Sequence, residues 1–169
     1  EFEPHLATWL SWPHDETTWP GKLNAIFPSY AAFIKKLTEG ELVRININDQ
    51  AMKIFASNIL VTHGVNMDKV EFYFHPTNDA WCRDYGPAFL VNPAAKEPKV
   101  VVDWDFNTWG GKYPPFDLDD IIPTLIAKEF DLPVFTPGII MEGGSVDFNG
   151  VGTLITSSCV LLNKNRNPN

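Results

Sequence analysis

Apolar and polar positions along this chain recur at two different periods, and the switching between them outlines the fold before any chemistry is considered. Thr8-Trp9-Leu10-Ser11-Trp12 is a short apolar run that stops at Pro13 and predicts a strand, followed by a polar, turn-rich loop over residues 14–21. Tyr30, Phe33, Ile34 and Leu37 recur at the spacing of one helical face, with Gly40 placed to end that helix. Residues 42–48 alternate in their second half and predict a strand. Ala51, Ile54, Phe55 and Ile59 mark a second helix that stops at Gly64, and residues 70–74 form the next strand. Two strand–helix–strand steps predict an α/β fold.

The second half of the chain reads differently. Residues 88–91 and 100–106 are two strands close enough for a hairpin, joined by a turn that holds two prolines. Leu118, Ile121, Ile122, Leu125 and Ile126 mark one face of a helix, with Asp117, Asp119 and Asp120 near the positive end of its dipole. Pro123 fits only if that helix begins close by, at Asp119 or Asp120. Val134–Phe135 is a short strand, and residues 146–148 and 153–156 form a hairpin around Asn149-Gly150. The sheet is therefore not purely parallel. Residues 161–169 are polar and lack a cap.

Composition narrows the function. The 169 residues suit one domain, with 44% hydrophobic and 20% charged residues, as in a soluble globular protein. No run of about 18 apolar residues predicts a transmembrane helix, and Glu1-Phe2-Glu3 lacks the chemistry of a signal peptide, so no membrane partner is expected. A net charge of −8 disfavours a nucleic-acid partner and suits small cations. Two cysteines without CxxC spacing predict a reduced, cytoplasmic setting. The four histidines show no metal-binding spacing, so no metal site is expected. No glycine-rich nucleotide cradle is present. Oligomeric state is left open, a homo-oligomer among the alternatives.

The candidate chemistry is concentrated in residues 78–87, Asn-Asp-Ala-Trp-Cys-Arg-Asp-Tyr-Gly-Pro, directly after the strand at 70–74. Asp84 beside Trp81 suits a planar cation, the carboxylate taking paired N–H bonds while the indole covers the flat face. The alternatives are that Asp84 pairs with Arg83 or caps the turn, and that Trp81 fills a core. Arg83 is expected to join Asp79 or Asp103 in a structural network. In an extended segment Cys82 and Asp84 would share one face and Trp81 and Arg83 the other. Glu142, before Gly143-Gly144, suits orienting a histidine or holding a substrate nitrogen, the alternative being a solvated glutamate on a glycine bulge. Cys159 reads as a small buried hydrophobe.

Taken together, five blocks resemble the agmatine deiminase and Porphyromonas-type peptidylarginine deiminase family in order and approximate spacing. They are Phe2-Glu3-Pro4-His5 with Thr8-Trp9-Leu10-Ser11-Trp12-Pro13, residues 78–87, Asp103-Trp104-Asp105-Phe106-Asn107-Thr108-Trp109-Gly110-Gly111-Lys112-Tyr113, Glu142-Gly143-Gly144-Ser145, and Leu162-Asn163-Lys164-Asn165-Arg166-Asn167-Pro168. The resemblance implies the guanidine-modifying pentein fold, a pseudo-fivefold α/β propeller of ββαβ modules. It implies hydrolysis of a small guanidinium substrate to a ureido product with release of ammonia, without metal or organic cofactor. Agmatine giving N-carbamoylputrescine, a step toward putrescine, is the leading expectation, with free or peptide-bound arginine as the alternative substrate. By position, Asp84 resembles a substrate-gripping aspartate, Trp81 the indole lining the pocket, and Glu142 the glutamate that partners the catalytic histidine or contacts substrate.

The family's Gly-His-x-Asp segment and its late cysteine nucleophile are absent from these residues, and neither Cys82 nor Cys159 lies in the nucleophile's motif. The chain is therefore expected to be one domain, the N-terminal part of a longer catalytic propeller, and inactive alone. A non-catalytic guanidinium or polyamine binder, and a structural half-domain without ligand, are the competing functions.

Overall fold

Parallel strands need a crossover of a dozen or more residues between them, and the first half of the chain supplies two such crossovers as helices. In the computed structural model, which describes residues 3–168, β1 (Ala7–Ser11), β2 (Leu42–Asn46) and β3 (Val70–Tyr73) form a parallel sheet in the order β1-β2-β3. Helix α1 (Leu23–Leu37) connects the first pair and α2 (Gln50–Thr62) the second. Asp49 caps α2 by accepting from the Met52 N–H at 2.8 Å. These elements belong to one compact unit, Glu3–Ala80, and the chain from Trp81 onward forms another.

The register of the sheet separates its two faces. Leu10, Val43, Ile45 and Ile47 are buried on one of them. On the other, Arg44 lies between Trp9 and Glu71, its Nε 2.8 Å from Glu71 Oε2 and its guanidinium 5.7 Å from the Trp9 ring centre. The hydrogen bond from Arg44 holds the Glu71 carboxyl below its ordinary pKa.

Both helices are present where the sequence pattern puts them, but each is rotated from the expected face. α1 buries Phe27, Ala31 and Ile34, whereas Phe33 is 49% exposed. α2 buries Ala56 and Leu60, whereas Ile54 is exposed. The small alanines decide the phase, because a close-packed interior favours the residue that lets two elements approach. Phe55 is also exposed, though its ring stands 5.2 Å from that of Phe27.

In the second unit, α3 (Cys82–Tyr85) leads into β4 (Ala88–Val91), which pairs antiparallel with β5 (Lys99–Val102). β5 ends earlier than its apolar pattern suggests, and β6 (Val134–Phe135) pairs with it in parallel. Between them lie the left-handed turn α4 (Thr108–Gly111), α5 (Asp117–Asp120) and α6 (Ile122–Glu129). The apolar face expected to run through one helix is thus divided at Ile121, and Pro123 sits in the first turn of α6, where its missing N–H costs nothing. β7 (Val146–Phe148) and β8 (Leu154–Thr156) form the hairpin around Asn149-Gly150, and α7 (Ser158–Leu161) follows. The core of this unit gathers Tyr85, Val101, Val102, Phe106, Ile122, Ile126, Met141 and Val146. The architecture is mixed α/β with small sheets, and no helix among the described residues is long and apolar enough to cross a membrane.

The rotated face of α1 has a measurable consequence. Ile34→Ala is expected to cost about 2–5 kcal/mol in denaturant unfolding, since Ile34 is fully buried, and Phe33→Ala less than about 1 kcal/mol, the reverse of what side-chain size alone suggests.

Candidate functional site

Residues 81–86 are wound into a helical turn rather than extended. The Asp84 and Tyr85 N–H groups both donate to the Trp81 carbonyl, at 2.8 and 3.2 Å, and Gly86 N–H donates to Cys82 O at 2.9 Å. The alternation expected of an extended segment therefore does not apply to Trp81, Cys82, Arg83 and Asp84. Tyr85 anchors the turn in the core, its ring 5.7 Å from that of Phe106.

Asp84 does not cap its own turn. Its Oδ1 accepts the backbone N–H of Gly144 at 3.0 Å. That bond exists because Gly143 and Gly144 have no side chains: a Cβ on Gly143 would run into the Arg83 carbonyl, and one on Gly144 into Asp84 Oδ1. The Glu-Gly-Gly stretch and the Trp-Cys-Arg-Asp turn are thus joined by a backbone-to-side-chain hydrogen bond at a close approach of the two main chains. Arg83 points to a different partner from those expected: its Nη2 lies 3.4 Å from Val146 O and 3.6 Å from Asp147 Oδ1, largely in solvent. Asp103 instead accepts from Thr124 Oγ1 at 2.6 Å, and Asp79 from Thr18 Oγ1.

Glu142 is buried, not solvated. Its Oε1 accepts from Arg166 Nε at 2.7 Å, with the two side chains only 3% and 9% exposed. No hydrogen bond reaches its Oε2 from the described residues, and none reaches Asp84 Oδ2. Several bonds hold the Glu142 backbone: Ser145 N–H and Oγ donate to its carbonyl, at 2.9 and 2.7 Å, and residues 139–141 run beside Asp105 through Asp105 N–H to Ile139 O and Met141 N–H to Asp105 O. The Asn167 amide brackets Ile140, accepting from its N–H and donating to its carbonyl.

Arg166 and Asn167 were not expected to shape the site. Their segment reads from sequence as a polar tail, and a long-range ion pair leaves no periodic trace. The same segment supports the aromatic side of the site. Asn107 Nδ2 donates to Asn165 O at 3.0 Å, and the Asn165 side chain fills the space where a Cβ on Gly110 would lie. Thr108, Trp109, Gly110 and Gly111 all have positive φ, making one turn of left-handed helix, a conformation costly for the two non-glycine residues. Asn107 steadies it by accepting from Gly110 N–H. The turn stands Trp109 edge-on to Trp81, ring centres 5.1 Å apart and planes at 86°. Trp81 is half-buried in this cluster, so it is neither a fully enclosed core residue nor a free surface indole. Cys159 is exposed, its Sγ 2.8 Å from Ser157 Oγ, against its reading as a buried hydrophobe.

Burial pushes the Asp84 carboxyl above its ordinary pKa, and the nearby charge of Glu142 adds to the rise, while the Gly144 N–H and Arg83 oppose it. Glu142, distant in sequence from Trp81 and Asp84, thus lies with them in the second unit, where the Asp84 and Glu142 carboxylates are close enough to repel.

Residues 1–169 match the family described as Porphyromonas-type peptidyl-arginine deiminase. A curated relative from Legionella pneumophila (strain Paris) is 34% identical over 169 residues, 99% of this chain and 46% of the relative. The chain therefore spans about half the length of the curated relatives it matches. Among solved structures, a variant of C. jejuni agmatine deiminase with substrate bound is 35% identical with a TM-score of 0.80, over 96% of this chain and 45% of that one. Agmatine deiminase of Enterococcus faecalis is 28% identical with a TM-score of 0.82, over 99% and 45%.

Two outcomes are expected from this geometry. Gly144→Ala should force Asp84 away from its backbone donor and cost about 1–3 kcal/mol in thermal or denaturant unfolding. Because the folded carboxyl of Asp84 titrates above its unfolded value, the fold is penalised as pH rises through the unfolded and then the folded pKa. Asp84→Asn should therefore melt at a higher temperature than wild type near pH 7, and the gain should vanish below about pH 4.

Proposed function

The chain belongs to the Porphyromonas-type peptidyl-arginine deiminase family, and from that premise we propose that it forms part of a hydrolase converting a guanidinium to a ureido group. Agmatine giving N-carbamoylputrescine is the reaction favoured by its likeness to agmatine deiminases of known structure. The observation that carries this reading is the pair Asp84 and Glu142. Each has one oxygen anchored by the protein and the other without a hydrogen bond among the described residues, and the two carboxylates repel across the site.

Such a pair suits a planar cation with several N–H donors. A guanidinium presents five or more N–H groups in a fixed fork, so two carboxylates can each take one while its charge relieves their repulsion. Asp84 Oδ2 and Glu142 Oε2 are the acceptors in this reading, and Trp81 offers an indole to the flat face. Held in that way, the central carbon becomes open to a thiolate. Attack gives a tetrahedral adduct, the C–N bond to one amino group breaks, and ammonia leaves with a proton. Water then cleaves the C–S bond, returning the thiol and leaving a C=O in place of the C=N. The cysteine, the proton-handling histidine and the second aspartate are assigned to the full-length protein, not to Cys82 or Cys159. A pseudo-fivefold propeller of ββαβ modules, a small guanidinium as the partner, and a cytoplasmic setting belong to the same proposal.

Incubating the full-length protein with agmatine, free arginine and an arginine peptide side by side, with ammonia and ureido product both measured, tests the reading. Agmatine is expected to react fastest. Asp84→Asn, which keeps shape and removes charge, should lower kcat/KM by about 100-fold or more. Activity within a few-fold of wild type would remove Asp84 from the mechanism.

A further inference from the structure

In the second unit, among the described residues, Glu142 and Arg166 are the one ion pair in which both side chains are buried. Stability gives a poor account of such a pair, because desolvating two charges offsets most of their attraction and an apolar pair of similar volume is often as stable. Nor is Arg166 needed to hold the main chain at this point. The Glu142 carbonyl is taken by Ser145, and Ile140 by Asn167 and the bridge to Asp105, so the backbone is fixed by groups other than the guanidinium.

What the guanidinium does contact is the side chain. Its Nε meets Glu142 Oε1, and its Nη1 donates to Asn165 Oδ1 at 2.9 Å, so two donors of one rigid plane are set at once. Asn165 is itself seated against Gly110, in the left-handed turn that carries Trp109. Among the described residues of this unit, the Asp84 carboxyl feels the charge of Glu142, whereas Arg83 is turned toward Asp147.

Resting on the deiminase reading above, we propose that Arg166 is a positioning residue for the guanidinium site. It engages Glu142 through Oε1 alone and balances its charge, which leaves Oε2 for an N–H of the ligand or of the catalytic histidine. A lysine would bring the charge but not the plane, since an ammonium has no fixed fork of donors.

The test is a double-mutant cycle in the full-length protein, read as kcat and KM for agmatine, with thermal melting to confirm folding. Arg166→Gln is expected to lower kcat/KM by about 30-fold or more, because a buried charge loses its partner. In a Glu142→Gln background the same substitution should change kcat/KM by less than about threefold, since there is no charge left to position. Arg166→Lys should fall between wild type and Arg166→Gln, about tenfold below wild type. The proposal is overturned if Arg166→Gln acts by the same factor in both backgrounds, or stays within about threefold of wild type. Where Arg166→Gln does not fold, the cycle is run with Arg166→Lys, and a lysine variant equal to wild type overturns it. A full-length wild-type protein that releases no ammonia from agmatine, arginine or an arginine peptide sinks the deiminase reading itself. Turnover by wild type with indifferent Arg166 variants sinks only the positioning role.

Discussion

The candidate site depends on two stretches of backbone coming closer than side chains ordinarily allow. Gly143 and Gly144 lie against the Arg83 carbonyl and the Asp84 carboxylate, in a space with no room for a Cβ. Three things follow from that contact. The Gly144 N–H reaches Asp84, Glu142 is carried to within electrostatic reach of it, and β7 starts immediately after the contact, at Val146. Glycine there has the most conformational freedom to lose on folding, a cost that a requirement for close approach offsets. The Tyr85–Phe106 contact and the Ser145 hydrogen bonds to Glu142 then fix the two stretches from either side.

Much of this was legible in the sequence, and what was not has identifiable causes. The parallel strand–helix–strand steps, the hairpin at Asn149-Gly150 and the constraint at Pro123 all followed from local rules about period and turn chemistry. The helix faces did not, because a search for large apolar residues passes over Ala31 and Ala56, both of which are fully buried. Asp84 and Glu142 stood out as carboxylates beside breakers, yet their anchors were invisible. A backbone N–H has no letter in the sequence, and Arg166 lies 24 residues from Glu142 in a run of asparagines. The double glycine at 110–111 announced a sharp turn, but nothing local says that Thr108 and Trp109 join it in the left-handed region. The Asn107 side chain supports it locally, and the contacts to Asn165 and to the ring of Trp81, which no local rule supplies, are tertiary.

Under the proposed function, the charges of the site would favour a cation over a neutral ligand. Asp84 and Glu142 share the second unit's polar cluster, and Arg166, the buried cation there among the described residues, is already committed to Glu142. Arg83 is turned away to Asp147 and mostly solvated, so it offers Asp84 little relief, and burial leaves the Asp84 carboxyl reluctant to ionise. A ligand with a delocalised positive charge would favour the ionised form of Asp84, and binding would then be linked to deprotonation. An ammonium would supply the charge but could not meet two carboxylates and an indole face at once, because its donors are not held in a plane. In the proposed reading, planarity, charge and donor count would select the same chemical group, with Trp81 answering to the first and the Asp84 and Glu142 carboxylates to the other two.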